Sequence, residues 1–454
     1  MTSIFAEHAL LTSGWVQNLR LQIEDGRIAH LTRDTTAQTG DYVVDTVLPA
    51  MANLHSHSFQ RAMAGMTEKR QAGQDSFWTW RDLMYRFTAH LNPDHVQAIA
   101  ALVFMEMQEA GYASVGEFHY LHHQPDGTPY TRIDELSARI MAAANSTGIG
   151  LTHLPVLYSY SDVRQNPLEP RQRRFGNDVD RFLTLVGRIR DTMPNMPGDY
   201  ALGIAPHSLR ATSPDDLQAV LAACDAGPIH IHIAEQPKEV QEVSDVLGAR
   251  PVEWLLGNAP VDGRWCLIHA THMTDAETRR LAASGAVAGL CPITEANLGD
   301  GAFNGAAYHN ARGAFGVGSD SNIMISLTGE LRLLEYSQRL RDLSRNVLCT
   351  PDGFTGHTLY CAAARGGAQA IGRHAGTIQE GMFADLVAID TQTPTLCCLK
   401  PEQFLDGLIF AGTDDVVTDL WSAGRHQVRN GRHIARDSII AAYRTAMNSV
   451  LSEV

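Results

Sequence analysis

The sequence predicts an α/β fold, a (β/α)8 TIM-like barrel carrying a small β-sandwich domain formed from both chain termini, and three observations lead to it. Between residues 48 and 375, apolar runs ending in polar residues alternate about eight times with amphipathic helical stretches. The runs are apolar almost without interruption, as parallel strands buried on both faces must be. The chain ends, residues 1–47 and 376–454, instead carry short β segments separated by turns.

Taken in order, residues 16–23 and 27–31 flank an Asp25-Gly26 turn and form a hairpin pattern. Candidate barrel strands follow at 48–54, 114–118, 150–157, 201–206, 229–233, 265–268, 286–290 and 314–318. Helical patterns separate them, for instance at 94–110, 133–146, 214–224 and 275–284. Such units over roughly 270 residues match a (β/α)8 barrel of about 250 residues. A doubly wound open sheet is the competing architecture, but no G-x-G-x-x-G turn follows the first strand. Residues 376–390 and 416–432 return to strands, broken at Gly381, Gly424 and Gly431. The composite domain is therefore 1–47 with 376–454, and the catalytic barrel is 48–375.

A chain of 454 residues, 44% hydrophobic, can bury a large core. Its formal net charge of −14 argues against binding nucleic acid or a membrane surface, since both need a basic face. A small anionic substrate is still compatible, because a local pair of arginines overrides the global field. Seven scattered cysteines without C-x-x-C spacing point to reduced thiols and a cytoplasmic protein. Glu7 and His8 interrupt the apolar stretch a signal peptide would need, and no apolar run approaches a membrane span of roughly 18 residues.

Polar residues gather where the strands end. His55-Ser56-His57 closes the first, Glu117, His119 and Tyr120 the second, and His207 and Arg210 the fourth. The fifth carries His230, His232 and Glu235, the sixth ends at His269 and His272, and the eighth at Asp320. In a barrel these ends share one mouth. His55 and His57, two apart on extended chain, point the same way and can bind one metal together. Their spacing alone would be weak evidence among 20 histidines; the other strand ends make it a constellation. Nitrogen and oxygen ligands favour zinc, with Fe(II) or Mn(II) as alternatives. A bound divalent ion lowers the pKa of water from 15.7 to about 7. His230 and His232 share a strand face, and the pattern does not distinguish which ligates.

These residues, His55, His57, His232, Glu235, His269 and Asp320, resemble the active-site set of the amidohydrolase superfamily. Residues 376–390 (GTIQEGMFADLVAID) resemble its G-x-[IL]-x-x-G-x-x-A-D-[LF] signature, so the resemblance runs nearly end to end. Dinuclear members carry a bridging lysine on strand four; residues 203–210 (GIAPHSLR) have neither lysine nor glutamate. The resemblance thus implies one divalent ion per subunit, Zn2+ by preference, as in the deaminase branch. There the histidine three before the glutamate ligates, which selects His232, so the ligands are His55, His57, His232 and Asp320.

Five stretches taken together resemble the formimidoylglutamate deiminase family more closely: residues 53–65 (NLHSHSFQRAMAG), 77–86 (FWTWRDLMYR), 117–123 (EFHYLHH), 230–236 (HIHIAEQ) and 294–301 (TEANLGDG). That family hydrolyses N-formimino-L-glutamate to N-formyl-L-glutamate and ammonia in histidine degradation. The resemblance implies that Glu235, His269 and Asp320 are catalytic. His269 and Asp320 would take the proton of the attacking water, and Glu235 would protonate the departing nitrogen. A dicarboxylate substrate calls for arginines away from the metal, and Arg81 and Arg210 are the candidates, with Arg86 an alternative to Arg81. Gln60, Tyr120 and His207 would add hydrogen bonds, while Arg171, Arg173 and Arg174 read as solvated charge. Asn322 departs from a Ser-Asp-Ser-His pattern after strand eight, which bears on that loop's part in substrate positioning. Relatives of this kind form homodimers, which is the expectation here. The alternatives are a mononuclear deaminase of purines or pyrimidines and, against the intact metal residues, a non-catalytic scaffold.

Overall fold

The computed structural model describes residues 2–70 and 77–452, so the predicted domain limits at Met1 and Val454 lie outside the described residues. In chain order the strands are β1 (Thr2–Leu11), β2 (Gly14–Glu24), β3 (Arg27–Thr32), β4 (Tyr42–Pro49), β5 (Met51–Ser56), β6 (Tyr112–His119), β7 (Gly150–Leu157), β8 (Ala201–Leu202) and β9 (Ala205–Pro206). They continue as β10 (Ile229–Ile233), β11 (Trp265–His269), β12 (Val287–Leu290), β13 (Ala314–Val317), β14 (Leu386–Ile389), β15 (Val417–Ser422), β16 (Arg425–Arg429) and β17 (Arg432–His433).

The central segment is an α/β assembly of TIM-barrel type. β5, β6, β7 and β8 pair in parallel, β9 pairs with β7, and β10 to β13 form a second parallel run. Isolated bridges join the two runs at both margins, Ser56 with Asp320 and Ile204 with Ile229. β6, β7, β10, β11 and β12 are buried at every position, as strands covered on both faces must be. Where 201–206 was expected to be one strand, the chain breaks at Gly203, whose Cα lies so close to the Pro228 carbonyl that a Cβ would sit 2.4 Å from that oxygen.

Helices start where local chemistry dictates. Ser213 accepts from Asp216 N ahead of Pro214–Ala223, and Thr274 and Glu277 form a capping box for Asp275–Ser284. Gly148, at φ 70°, ends Glu135–Thr147 and releases the chain into β7.

The two chain ends share one eight-stranded sheet, ordered β17-β16-β15-β14-β4-β1-β2-β3. Leu48, expected to open the first barrel strand, instead pairs with Val387 in this sheet, and the barrel strand begins at Met51. The pattern reading missed this because β4 and β5 are almost contiguous and equally apolar. The C-terminal stretch is not wholly β: Arg436–Leu451 is a helix packed on Pro93–Glu109, anchored by an Arg436–Glu109 ion pair. Arg373, Asp199, Asp385 and Arg425 form a largely buried ion network between the sheet and the parallel strands. Arg174 is another correction: it is buried, not solvated, and donates to the carbonyls of His123 and Leu91.

Candidate metal centre and active site

Three strand ends bring three imidazoles and one carboxylate together. His55 lies in β5, His57 precedes the short 3-10 turn Ser58–Met63, His232 lies in β10, and Asp320 follows β13. Their ligand atoms all fall within 4.8 Å of one another. Backbone bonds set the register, from Asp320 N to His55 O (3.0 Å) and from His57 N to Asp320 O (2.9 Å). Several residues here hold left-handed backbone, including Ala234 (φ 53°), His269 (68°), Asp320 (45°) and Asn322 (55°). Each costs on the order of 1–3 kcal/mol and persists only because its surroundings fix it, a pattern concentrated at functional sites.

The histidine tautomers favour a cation between the rings. His57 Nδ1 is 2.8 Å from the Phe118 carbonyl and His232 Nδ1 is 3.1 Å from the His207 carbonyl. A carbonyl only accepts, so both Nδ1 atoms carry hydrogen and both Nε2 atoms of the neutral rings present lone pairs. Those two Nε2 atoms nevertheless lie 3.3 Å apart, and His232 Nε2 lies 3.1 Å from His55 Nε2. Lone pairs facing at this distance repel unless a cation sits among them. Asp320 Oδ1 completes the set, 3.4 Å from His55 Nε2 and 3.3 Å from His57 Nε2. Burial, then the His57 charge, pushes His55 down to about 3, which keeps the ring neutral for ligation. Burial opposes ionisation of Asp320, but the surrounding histidines hold its carboxyl well below the usual range. The donor set therefore suits one divalent ion, and no helix of the described residues is long and apolar enough to cross a membrane.

Beside this cluster stand the proton-bearing groups. His269 Nε2 faces Glu235 Oε1 at 3.7 Å and Asp320 Oδ2 at 3.8 Å, while its Nδ1 lies 3.2 Å from Glu295 Oε1. Burial disfavours charge on His269, yet the Glu235, Glu295 and Asp320 carboxylates raise it to about 10. Burial raises Glu235 to about 7 against the pull of His269 and Arg210. Glu235 thus sits where a carboxyl can hold or release a proton near neutral pH.

One cavity joins these groups to the expected substrate residues. Gln60, Arg81, Tyr120, His207 and Arg210 all line it, together with His57, His232, Glu235, His269 and Asp320. Gln60 Nε2 donates to the Tyr120 hydroxyl at 2.7 Å, leaving Gln60 Oε1 buried without a partner. Among the described residues, Arg81 and Arg210 each keep a buried Nε with no hydrogen-bond acceptor. Arg210 makes only long contacts, 3.9 Å, to Glu235 and Glu239. Arg86 is exposed and lies off the cavity, which separates it from Arg81. His230 turns its Nε2 to the Ala370 carbonyl (2.8 Å) and stays outside the metal cluster. His119 packs beside His153 and His122, and His272 bonds the Asp300 carbonyl, so neither reaches the cavity.

The sequence reading passed over Glu295, which grips His269, and the aromatic wall of Phe77, Trp80, Tyr85, Tyr158 and Phe175. Glu295 and the helix-borne aromatics lie in the 294–301 and 77–86 stretches already singled out; Tyr158 and Phe175 carried no such signal. Asn322 is fully buried, bonded to Ser319 Oγ (2.6 Å) and Ser56 Oγ (3.2 Å), and does not line the cavity. At this departure from the family pattern, the Asn322 side chain braces the Asp320 loop.

The chain is similar to known proteins along nearly its whole length. Residues 46–426 match the amidohydrolase family, and residues 1–43 match the N-terminal domain of formimidoylglutamate deiminase HutF. The chain is 47% identical over 454 residues to a formimidoylglutamate deiminase from Pseudomonas aeruginosa, covering 99% of this chain and 100% of that protein. It is also similar to a crystal structure of an amidohydrolase from Brucella melitensis, at 46% identity and TM-score 0.96, covering 99% of this chain and 100% of that one. A zinc-bound adenosine deaminase from Xanthomonas campestris, 20% identical with TM-score 0.83 over 99% of this chain and 98% of that one, shares the fold.

Proposed function

The chain belongs to the amidohydrolase family, and we propose how its cavity carries out the reaction its relatives imply. It hydrolyses the formimino C–N bond of N-formimino-L-glutamate, giving N-formyl-L-glutamate and ammonia, a step of histidine degradation. The observation that carries the finer reading is the pairing of the histidine–aspartate cluster with two arginines, each with an unpartnered buried Nε, on one cavity. A substrate with a planar amidine-like head and two carboxylates matches that pairing: the head goes to the metal side, the carboxylates to Arg81 and Arg210.

His55, His57, His232 and Asp320 would hold the ion, zinc by ligand type. An ion held there would supply Lewis acidity, making an adjacent water easier to deprotonate at neutral pH. Beside that positive charge His269 would lose proton affinity, so that its Nε2, together with Asp320 Oδ2, accepts the proton of the attacking water. Glu235, poised near 7, delivers a proton to the formimino nitrogen so that ammonia leaves. Glu295 holds His269 through Nδ1 and keeps Nε2 directed at Asp320 and Glu235. Tyr120, Gln60 and His207 line the path between the metal and the arginines and supply hydrogen bonds to the substrate.

The joined parallel runs are read as one closed barrel, and the terminal sheet, with its own core around Ile4, Leu21, Ala388 and Trp421, as a sandwich folded on itself. A domain division between β4 and β5 and at residues 375/376, a cytoplasmic location and a homodimer complete the proposal. Ammonia release from formiminoglutamate and from a purine and pyrimidine panel tests the substrate assignment. The expected result is turnover of formiminoglutamate alone; preference for a nucleobase overturns it.

A further inference from the structure

Among the strand-end side chains that the hydrolysis does not use is a thiol beside the metal cluster. Cys291 follows β12, is fully buried, and is a free thiol against Leu54, Cys266 and Ile268. Its backbone N–H donates to Glu295 Oε1 at 2.9 Å, the same oxygen that lies 3.2 Å from His269 Nδ1. Cys291 and His269 are thus held by one carboxylate, side by side. Ligand atoms of His269, Cys291 and Asp320 all lie within 4.8 Å of one another, and all three residues are at least nine-tenths buried.

Asp320 has one oxygen for each of two sites. Oδ1 faces His55 and His57 at 3.4 and 3.3 Å, whereas Oδ2 faces His269 Nε2 at 3.8 Å. Glu235 Oε1, 3.7 Å from the same Nε2, stands ready as a fourth oxygen. Tetrahedral zinc with bonds of 2.0–2.3 Å needs ligand atoms about 3.3–3.8 Å apart, so the set needs to contract by at most about an ångström. Thiolate with imidazole selects zinc or cadmium over magnesium, calcium or manganese.

We infer that His269, Cys291 and Asp320 form a second metal site, an inhibitory one, which takes a thiophilic divalent cation once the four-ligand site is filled. Asp320 then bridges the two ions, Cys291 gives up its thiol proton, and His269 Nε2 and Asp320 Oδ2 are withdrawn from proton transfer. Excess zinc or cadmium therefore inhibits the enzyme, and removing the excess restores it. The inhibition rests on the proton-transfer roles proposed above; the binding does not, so metal counting and spectroscopy test the site even if those roles fail.

The test uses holoenzyme carrying one ion per chain, with Cys397→Ser and Cys398→Ser removing the exposed adjacent pair, whose Sγ atoms lie 3.9 Å apart. Titration with ZnCl2 or CdCl2 is followed by metal content and ammonia release. The expected result is a second equivalent bound and activity falling at least about tenfold, recovered when a mild chelator strips the second ion. Cys291→Ser keeps one ion and near-normal activity, and its inhibition midpoint moves at least about tenfold higher. If that variant folds poorly, Co2+ added to the parent holoenzyme serves instead: the second equivalent must bring a near-ultraviolet thiolate charge-transfer band. An unchanged midpoint in Cys291→Ser, or a second equivalent of Co2+ without that band, overturns the site.

Discussion

Replacing Arg210 by methionine tests the proposed carboxylate-binding half of the cavity. Methionine keeps most of the apolar stem and removes the guanidinium, whose Nε lacks an acceptor and whose contacts to Glu235 and Glu239 are 3.9 Å long. The protein therefore loses little native pairing, and most of the loss falls on the bound state. A charge-assisted, bidentate contact to a substrate carboxylate contributes about 2–4 kcal/mol, so KM for formiminoglutamate rises roughly 30- to 1000-fold. If the contact is kept through the transition state, kcat changes far less than KM. The same substitution removes a cation that favours ionised Glu235, whose carboxyl burial has already raised to about 7. Its pKa moves further up, and because the proposed mechanism needs Glu235 protonated, the alkaline limb of kcat shifts to higher pH. Steady-state ammonia release across pH measures both effects. An unchanged KM removes Arg210 from the substrate site, and an alkaline limb moving to lower pH refutes the assigned role of Glu235.

Other substitutions test the remaining parts. Glu235→Gln retains bound metal but loses about 10²–10⁴-fold in kcat, measured with metal content in the same preparation. His57→Asn, or dialysis against a strong chelator, abolishes activity, and zinc restores the dialysed protein but not the variant; activity surviving chelation rules out a metal role. Asp199→Asn weakens the ion network in which Asp199 meets Arg373 (3.0 Å) and Arg425 (2.7 Å), and unfolding in urea shows a loss of roughly 3–5 kcal/mol. Burial raises the Asp199 pKa, but Arg425 and Arg373 outweigh it and leave the group below its ordinary value. Its contribution is complete above about pH 4 and fades as pH falls toward the folded pKa, so the variant's stability deficit shrinks in acid.

Much of the site could be read from one dimension because strands end where the chemistry begins. β7 and β10 were delimited to the residue, since a mostly apolar run, broken only by Thr152 and His153 in one and by His230 and His232 in the other, admits few registers. His55, His57, Glu235, His269 and Asp320 stood out for the same reason: a metal ligand set leaves polar residues at apolar strand ends. Local pattern failed where context competes. Leu48 joins the terminal sheet because Val387, over three hundred residues away, offers it a partner, and no neighbour in sequence signals that. Arg174 looked solvated among Arg171 and Arg173, yet buried carbonyls of distant segments take its guanidinium.

The sequence by itself determined the alternation of strands and helices, the kinds of ligand available and the absence of a strand-four lysine, because these depend on residue type and spacing. Only the tertiary structure decided which groups meet. It placed His232 in the metal cluster and His230 against the Ala370 carbonyl, put Arg81 on the cavity and Arg86 in solvent, and brought Cys291 beside His269. The physical reason is the same in each case: ligation, ion pairing and proton transfer act over about 2–4 Å, and which atoms lie that close depends on how strands remote in sequence pack together.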